Sequence, residues 1–259
     1  NGWKRRCRCL LDYGVQIMVG TVIAKVAGSA LGATYTMPAA DGAAGEFLKT
    51  DGSTNLSFAS AAAGFHQVVV KTSSDATYSP AAGVTKIVVH LQGGGGGTGN
   101  ATGSDGSAGG GGGAYAMKQL TVTSSYVINV QIGAAGTTGA TGGNGGDTTF
   151  TYVSGGVSFT AITAGGGLYG QVNNVANGGE GGTATNGDLN VRGGDGGRPA
   201  GGSHDAPGGS SMFGFGGQIE QAASGIGNGY GAGASGNADG TGFSGKAGTA
   251  GLAIIYEYK

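Results

Sequence analysis

The stretch GAAGTTGATGGNGG, residues 133–146, places glycine at every third position from Gly133 to Gly145. Similar runs lie within residues 103–112 and 242–251. Three residues per turn is the repeat of polyproline II, an extended conformation that makes no hydrogen bonds within itself. A segment with glycine along one edge lets a neighbouring backbone approach closely and exchange N–H and C=O bonds with it. The repeat therefore predicts a bundle of extended glycine segments that are hydrogen-bonded to one another.

The composition leaves disorder as the main alternative to such a bundle. The 63 glycines and 4 prolines make up about a quarter of the 259 residues, a proportion typical of low-complexity chains. However, only 10% of the residues are charged and the formal net charge is -1, so self-repulsion does not keep the chain open. Because glycine loses more backbone entropy on folding than any other residue, we expect a fold that is tightly hydrogen-bonded, oligomeric or both.

Apolar, β-branched stretches interrupt the glycine runs and predict strands. In Val84–Gln92 the apolar residues alternate, which puts Thr85, Ile87, Val89 and Leu91 on one face that we expect to look into the core. Further predicted strands are Val68–Val70, Tyr115–Val122, Tyr126–Ile132, Phe150–Tyr152, Val157–Ile162 and Leu252–Tyr258.

Turn residues predict how these strands pair. The turn at 123–125 is expected to join Tyr115–Val122 to Tyr126–Ile132, and the turn at 154–156 to join Phe150–Tyr152 to Val157–Ile162. No apolar stripe with a 3.6-residue period occurs, so no helix longer than one or two turns is expected. The predicted fold class is all-β, with a β-rich stalk-side region followed by a glycine-rich domain of β-strands and polyproline II segments.

Two regions follow from the change in composition. Residues 1–62 are predicted to be a β-rich fibre or stalk-side region, with the hairpin dipeptides Asp41-Gly42 and Asp51-Gly52. Residues 63–259 are predicted to be a glycine-rich tip domain, with loops at the end of the bundle that lies away from the strands. The basic residues around Cys7 and Cys9 fit either an anchor for a partner or the end of a fragment, and the cysteines fit free thiols or interchain bridges.

Charge and hydropathy disfavour several classes of partner. The near-zero net charge gives no reason to expect nucleic acid or an anionic membrane surface. No run of about 18 apolar residues occurs, so membrane insertion is not expected. Asp12 and Gly14 interrupt the apolar part of the N-terminal region, which argues against a signal peptide there.

Three patterns that often carry chemistry are incomplete in this sequence. Gly142–Asp147 matches the first six positions of a calcium-binding nonapeptide, but the match is isolated, so no metal is expected and Asp147 is interpreted as a cap of a polyproline II segment. Gly93–Gly97 is not followed by a helix, so no nucleotide or other cofactor is predicted. His66, His90 and His204 lack a nucleophile at the required spacing, so we expect no enzyme activity.

Large apolar side chains within the glycine blocks are the candidates for binding. Rigid aromatic residues supply much contact area at a small cost in entropy, which favours receptor contact. The alternative interpretation is that they plug the ends of the bundle or a trimer axis. The candidates are Tyr169, Met212, Phe213, Phe215, Tyr230 and Phe243.

Four landmarks in order resemble a known domain. They stand at Tyr78–Val89, Gly112–Ala116, Gly142–Phe150 and Gly248–Glu257. Together they are similar to the glycine-rich domain at the C-terminal end of many bacteriophage tail-fibre and appendage proteins, over roughly residues 65–259. Residues 35–53 also resemble a short module common in phage fibres.

This resemblance implies a structural protein of the virion, on the phage tail or another external appendage. It implies a homotrimer whose N-terminal region contacts other virion proteins and whose loops bind a host surface protein or glycan. Two alternatives remain at this point: a purely structural component, such as a fibre linker or capsid decoration, and a bacterial surface adhesin.

Overall fold

The computed structural model divides the chain into two compact units, residues 1–64 and residues 65–259. The described residues contain strands and no helix, so the fold is all-β as predicted. The residues that the structure describes are 17–18, 21–22, 38, 40, 42, 46–53, 55–60, 64–101, 106–172, 177–199, 206–218, 225–237 and 244–259.

Unit 1 contains two antiparallel strand pairs among its described residues, and their strands are β1 (Ile17–Met18), β2 (Thr21–Val22), β3 (Glu46–Thr50) and β4 (Leu56–Ser60). The predicted turn at Asp51-Gly52 is confirmed, because it joins β3 to β4. Asp51 Oδ1 accepts a hydrogen bond from the Ser53 amide at 2.8 Å, and Gly52 has a φ of +83°. The interpretations of Asp41, Cys7 and Cys9 fall outside the described residues.

Unit 2 is built on two five-stranded antiparallel sheets and one two-stranded ribbon. In chain order its strands are β5 (Phe65–Lys71), β6 (Asp75–Tyr78), β7 (Lys86–Gln92), β8 (Tyr115–Thr121), β9 (Val127–Gln131), β10 (Thr148–Ser154), β11 (Ile162–Ala164), β12 (Ala184–Thr185), β13 (Leu189–Val191), β14 (Phe213–Phe215), β15 (Asn228–Tyr230) and β16 (Leu252–Tyr258). The first sheet has the order β13-β8-β7-β16-β5, and the second has the order β12-β11-β10-β9-β6.

The apolar faces of the two sheets supply one hydrophobic core. Ile87, Val89 and Leu91 are fully buried, as the alternation in Val84–Gln92 predicted, whereas Thr85 is exposed. From the second sheet, Phe150 is likewise fully buried. The sandwich therefore supplies the apolar burial that the glycine segments lack.

One predicted strand pairing is wrong, whereas the other is present with Phe150 opposite Ile162 but with a different second strand. β8 pairs with β7 in the first sheet, whereas β9 lies between β10 and β6 in the second. Residues 122–126 therefore form a corner between the two sheets and not a hairpin turn. Val122 and Tyr126, at the two ends of this corner, are both buried in the shared core. β11 begins only at Ile162, and Val157 is exposed in the loop before it.

A bundle of extended segments stands on one end of the sandwich, and two of these segments lie at its centre. We call residues 93–98 thread 1 and residues 107–114 thread 2. In thread 1 the direction of the amides repeats every three residues, which is the polyproline II period. Its amides donate in pairs: Gly93 and Gly96 to thread 2, Gly94 and Gly97 to residues 143–146, and Gly95 and Thr98 to residues 246–249.

Each of the two central threads is surrounded by six segments of the same chain, one of which is the other thread. The carbonyls of thread 1 accept amides from three further segments, which contain Gly136, Gly167 and Ala234. Thread 2 repeats the arrangement, and every described residue of both threads is buried. All three phases of such a thread meet backbone, so all three need glycine. Every amide of the two threads is therefore bonded within a single chain.

Outer segments need glycine only on the sides that face the bundle. They carry a Gly-Gly-X-Gly-Gly pattern, and the X residues Asn144, Glu180 and Asp195 are exposed. The unbroken glycine runs of the threads and the interrupted runs of the outer segments thus correspond to central and peripheral positions.

The two ends of unit 2 contain different parts of the chain. The chain enters at Phe65 and ends beside it, since the ring of Phe65 lies against that of Tyr258 with centroids 6.1 Å apart. The bundle extends in the opposite direction. At its far end the flanks of different connections bind one another: Gly245 N donates to Asn100 Oδ1, Asn237 N to Ser107 Oγ, and Gly236 N to Ala206 O. The predicted loops between these flanks lie largely outside the described residues.

Candidate binding surface

A short ribbon beside the bundle carries most of the candidate residues. β14 pairs with β15, and Phe213 lies opposite Tyr230. Ser211 holds the end of the ribbon, because its amide donates to Gly214 O at 2.8 Å and its hydroxyl donates to Tyr230 O at 2.5 Å. The ribbon is therefore fixed by backbone and hydroxyl bonds and not by side-chain packing alone.

Two glycines allow close backbone approaches at the ribbon, Gly229 to the paired strand and Gly231 to the bundle. Gly229 and Gly231 have φ values of +88° and +72°, a region that other residues rarely adopt. A β-carbon on Gly229 would lie 2.3 Å from the Phe213 carbonyl oxygen, and one on Gly231 would lie 2.4 Å from the Gly93 carbonyl oxygen. The ribbon is thus positioned directly against the start of thread 1.

Four large apolar side chains project from this region into solvent. Phe215 is 73% exposed, Met212 is 59% exposed and Tyr230 is 38% exposed. Ile226, which the sequence interpretation missed, is 65% exposed just before β15. Its position as a large apolar residue between Gly225 and Gly227 was the available signal. We call Met212, Phe215, Ile226 and Tyr230 the ribbon patch.

Phe213 has a different role, because it anchors the ribbon to the first sheet. Its ring packs edge-on against Tyr115, with centroids 5.7 Å apart, and Tyr115 is buried. The Tyr115 hydroxyl and His90 Nδ1 lie 2.7 Å apart, and the His90 ring packs against Tyr256. An aromatic row thus crosses the outer face of the first sheet and ends under the ribbon.

Burial lowers the pKa of His90 below its ordinary value of 6.5 and raises the pKa of Tyr115. Both shifts have the same cause, which is that the low-dielectric surroundings disfavour the charged form. Burial therefore favours the neutral forms of both His90 and Tyr115.

The remaining two candidates are Tyr169 and Phe243. Tyr169 lies toward the far end of the bundle, where it lines a shallow cleft of about 210 Å³ with Thr141, Gln171 and Val172. Phe243 falls outside the described residues. The structure thus brings together Met212, Phe213, Phe215 and Tyr230 and places Tyr169 elsewhere.

Polar side chains of the outer segments bind the amides of neighbouring segments. Asn144 Oδ1 accepts from Tyr169 N at 3.0 Å, and Asp147 Oδ1 accepts from Gly166 N at 2.9 Å. Asn144 and Asp147 are three residues apart, so the polyproline II period brings both to the same neighbour. Asp147 is therefore a cap for an outward-facing amide, as the sequence interpretation proposed.

Asp195 repeats this capping on another segment. Its Oδ1 accepts from Gly181 N at 2.8 Å, and it forms an ion pair with Arg192 at 2.7 Å. The Gly181 amide and then Arg192 lower the pKa of its carboxyl, since both stabilise the ionised form. Across the described part of the chain, no group of three or more His, Cys, Asp or Glu side chains is arranged to hold a metal ion.

The histidines do not form a catalytic group among the described residues. His66 is exposed on β5, whereas His90 lies in the aromatic row. His204 falls outside the described residues.

Within the described ranges, no helix has the length and hydropathy needed to cross a bilayer.

A sandwich of two antiparallel sheets that supports a hydrogen-bonded glycine bundle defines the class of this chain as a glycine-rich domain protein. A family model described as a glycine-rich domain matches residues 71–257, and the chain belongs to that family. The match runs from the last residue of β5 to the penultimate residue of β16, so it includes the whole bundle. No curated protein matches the chain.

Proposed function

We propose that this chain is a non-enzymatic appendage protein of a phage virion, a tail fibre or fibre tip, that attaches to the host cell. The glycine bundle acts as a rigid scaffold that displays side chains to a host surface protein or glycan. The resemblance of four landmarks to phage appendage proteins supports the class, and the geometry of the ribbon supports the binding role.

The observation that carries the binding role is the ribbon patch. Phe215 and Met212 are mostly exposed, yet their backbone is fixed by the pairing with β15 and by Ser211. Large side chains on a rigid backbone lose little entropy when they bind, which is why such residues dominate interfaces. Four large apolar side chains are thus exposed on and next to one short ribbon, and clustered exposure of this kind often marks an interaction site.

The positions of the chain entry and of the bundle in unit 2 fit attachment at the far end of the bundle. The chain enters at Phe65 and ends at Lys259 on the same side of the sandwich, and the bundle extends away from both. A fibre that continues on the side of Phe65 would therefore present the far end of the bundle, where Tyr169 lies, to the host.

A purely structural role in the virion is the second candidate, and one observation favours it. The ribbon patch lies where the bundle meets the sandwich and not at the far end, because Phe213 packs on Tyr115 at the start of β8. An apolar patch in that position also suits contact with a neighbouring virion protein.

Binding of the purified full chain to candidate host cells tests both functions. Attachment through the ribbon patch predicts that Phe215→Ala weakens cell binding at least about tenfold. Attachment through the far end predicts the same for Tyr169→Ala. Val157→Ala is the matched control, since Val157 is exposed on a loop of the sandwich.

The outcomes separate the two candidates. If neither variant weakens binding to any host that the phage infects, the attachment proposal is wrong. If Phe215→Ala instead reduces incorporation of the chain into particles while cell binding is unchanged, the structural role is the correct one.

A further inference from the structure

The four edges of the two sheets in unit 2 are not equally protected. β12, β13 and β6 have two, three and four residues, and β6 is also irregular in its pairing. Short or irregular edges of this kind prevent unwanted pairing with other strands. β5 is the exception, because it has seven residues and pairs only with β16 among the described strands.

The side chains of β5 do not protect its free edge either. Val68 is 42% exposed and Val70 is 56% exposed, and the strand contains no proline. Its only charged side chain is Lys71 at the end, which already forms an ion pair with Asp75 at 2.7 Å. An edge that is long, apolar and regular from Gln67 to Lys71, with one register shift against β16 at its first residues, is a template for another strand.

We propose that β5 pairs with β5 of a second copy of this chain, antiparallel across a two-fold axis. The two first sheets then form one continuous ten-stranded sheet. This inference does not depend on the proposed function, since it concerns only how copies of the chain associate.

Charge favours a second copy as the occupant. The Lys71–Asp75 pair neutralises the end of β5, and the Gln67 side chain is bound to Glu257 at 2.8 Å. The edge therefore offers backbone groups and valine side chains with no net charge, and an identical edge matches it in both respects. An acidic or basic partner would find no complementary charge on this strand.

The register follows from the length of the strand. Pairing centred on Val68 places Val68 opposite its own copy, with His66 opposite Val70 at the end where β5 shifts register against β16. The two Lys71 side chains then lie at opposite ends of the pair, about 20 Å apart at the usual rise of a strand. A parallel arrangement would place them side by side, where like charges repel.

The outer face of the first sheet continues the same surface. Val70 lies beside Ile254 and Val68 lies beside Tyr256 in the adjacent strand. Across the two-fold axis the row of Tyr256 and Val68 would meet its own copy, whereas Val70 would lie opposite His66 of the second copy. Strand pairing alone buries less area than a typical stable dimer, so we expect a dimer that dissociates on dilution.

Sedimentation of the full chain over a roughly hundredfold range of concentration tests this pairing. The wild-type chain is expected to shift from monomer to dimer. Val68→Lys places two like charges opposite each other at the axis and is expected to weaken dimerisation about tenfold or more. Val153→Lys is the matched control, because Val153 is similarly exposed on β10, an interior strand.

Cysteine cross-linking tests the register in a chain with Cys7→Ser and Cys9→Ser. Val68→Cys is expected to cross-link to itself under mild oxidation, whereas His66→Cys and Val70→Cys are expected to cross-link only when the two proteins are mixed. This pattern requires the proposed axis, and a general loss of fold would not produce it.

Three results would overturn the inference. They are a chain that stays monomeric at every concentration, a trimer of the kind that phage fibres imply, and a dimer that Val68→Lys leaves unchanged. A dimer with a different cross-linking pattern would overturn the proposed register.

Discussion

The hydroxyl of Tyr78 donates a hydrogen bond of 2.6 Å to the carboxylate of Glu257 and so links the second sheet to the last strand of the first. Glu257 is only 1% exposed, and it also accepts from Gln67 Nε2 at 2.8 Å and from the Ala81 amide at 3.3 Å. Burial, and then the neighbouring carboxylate, raise the pKa of Tyr78 well above its ordinary value. This buried cluster holds the end of the sandwich at which the chain enters and ends.

Loss of the Tyr78 hydroxyl is expected to destabilise the fold. Tyr78→Phe keeps the ring but leaves the buried Glu257 carboxylate with one donor fewer, at a cost of about 2 kcal/mol in the free energy of unfolding. Tyr152→Phe is the control, because the Tyr152 hydroxyl binds Gly156 in an exposed loop, and it is expected to cost less than about 0.5 kcal/mol. Denaturant unfolding measures both. Equal effects at the two positions would contradict the role of the buried cluster.

A single methyl group in a central thread is expected to disrupt the bundle. A β-carbon on Gly96 would lie 2.0 Å from the Leu168 carbonyl oxygen, which is backbone and has no room to move. Gly96→Ala is therefore expected to cost about 3 kcal/mol or more, through steric strain and lost hydrogen bonds. The control is Gly64→Ala, since a β-carbon there would have no atom within 4 Å. Calorimetry measures the change in melting temperature, and similar values for the two variants would show that the bundle is not close-packed.

The Asp147 cap is expected to protect one amide in particular. Asp147→Ala removes the acceptor of the Gly166 amide and should speed its hydrogen exchange about fivefold or more, which corresponds to about 1 kcal/mol. Asp147→Asn retains an acceptor oxygen and is expected to preserve most of the protection. NMR-detected exchange at Gly166, with Gly181 as an internal reference capped by Asp195, measures the effect. Faster exchange at both amides would indicate general loosening and would argue against a local cap.

Stability is expected to fall on mild acidification because of His90. Its folded pKa is lowered by burial, so between the ordinary value of 6.5 and the lower folded value the unfolded chain binds the proton more readily. The stability is therefore fully present above about pH 6.5 and declines as the pH falls below it. His90→Gln should flatten this decline between pH 7 and pH 5, as measured by the melting temperature. Identical slopes for the variant and the wild-type chain would contradict it.

Local sequence patterns predicted the faces of the strands. In Val84–Gln92 the alternation placed Ile87, Val89 and Leu91 in the core, and they are fully buried, because a strand turns its side chains to opposite faces at every residue. The same patterns did not predict which sheet a strand joins. β8 and β9 follow each other in sequence yet lie in different sheets. An apolar strand can bury its side chains in the shared core from either sheet, so its alternation does not say which sheet it joins.

The candidate site was only partly predictable for a related reason. The apolar residues near Phe213 were visible in the sequence as an anomaly within a glycine block. Their pairing with Asn228–Tyr230 was not, because residues 216–227 separate the two strands, a connection longer than the two to five residues of a common hairpin loop. Anchoring of Phe213 by Tyr115 required a contact between residues almost a hundred positions apart.

By itself the sequence determined that the glycine segments pack backbone against backbone, since a three-residue period of glycine leaves no side chain on the packed edge. The unbroken glycine runs at 93–97 and 109–113 also indicated segments that are surrounded by backbone on every side. Only the tertiary structure decided which segments surround them and in what order. An extended segment makes no hydrogen bonds within itself, so all its hydrogen-bond partners come from segments that are distant in sequence. Those partners depend on how the whole bundle packs and not on the residues next to the segment along the chain.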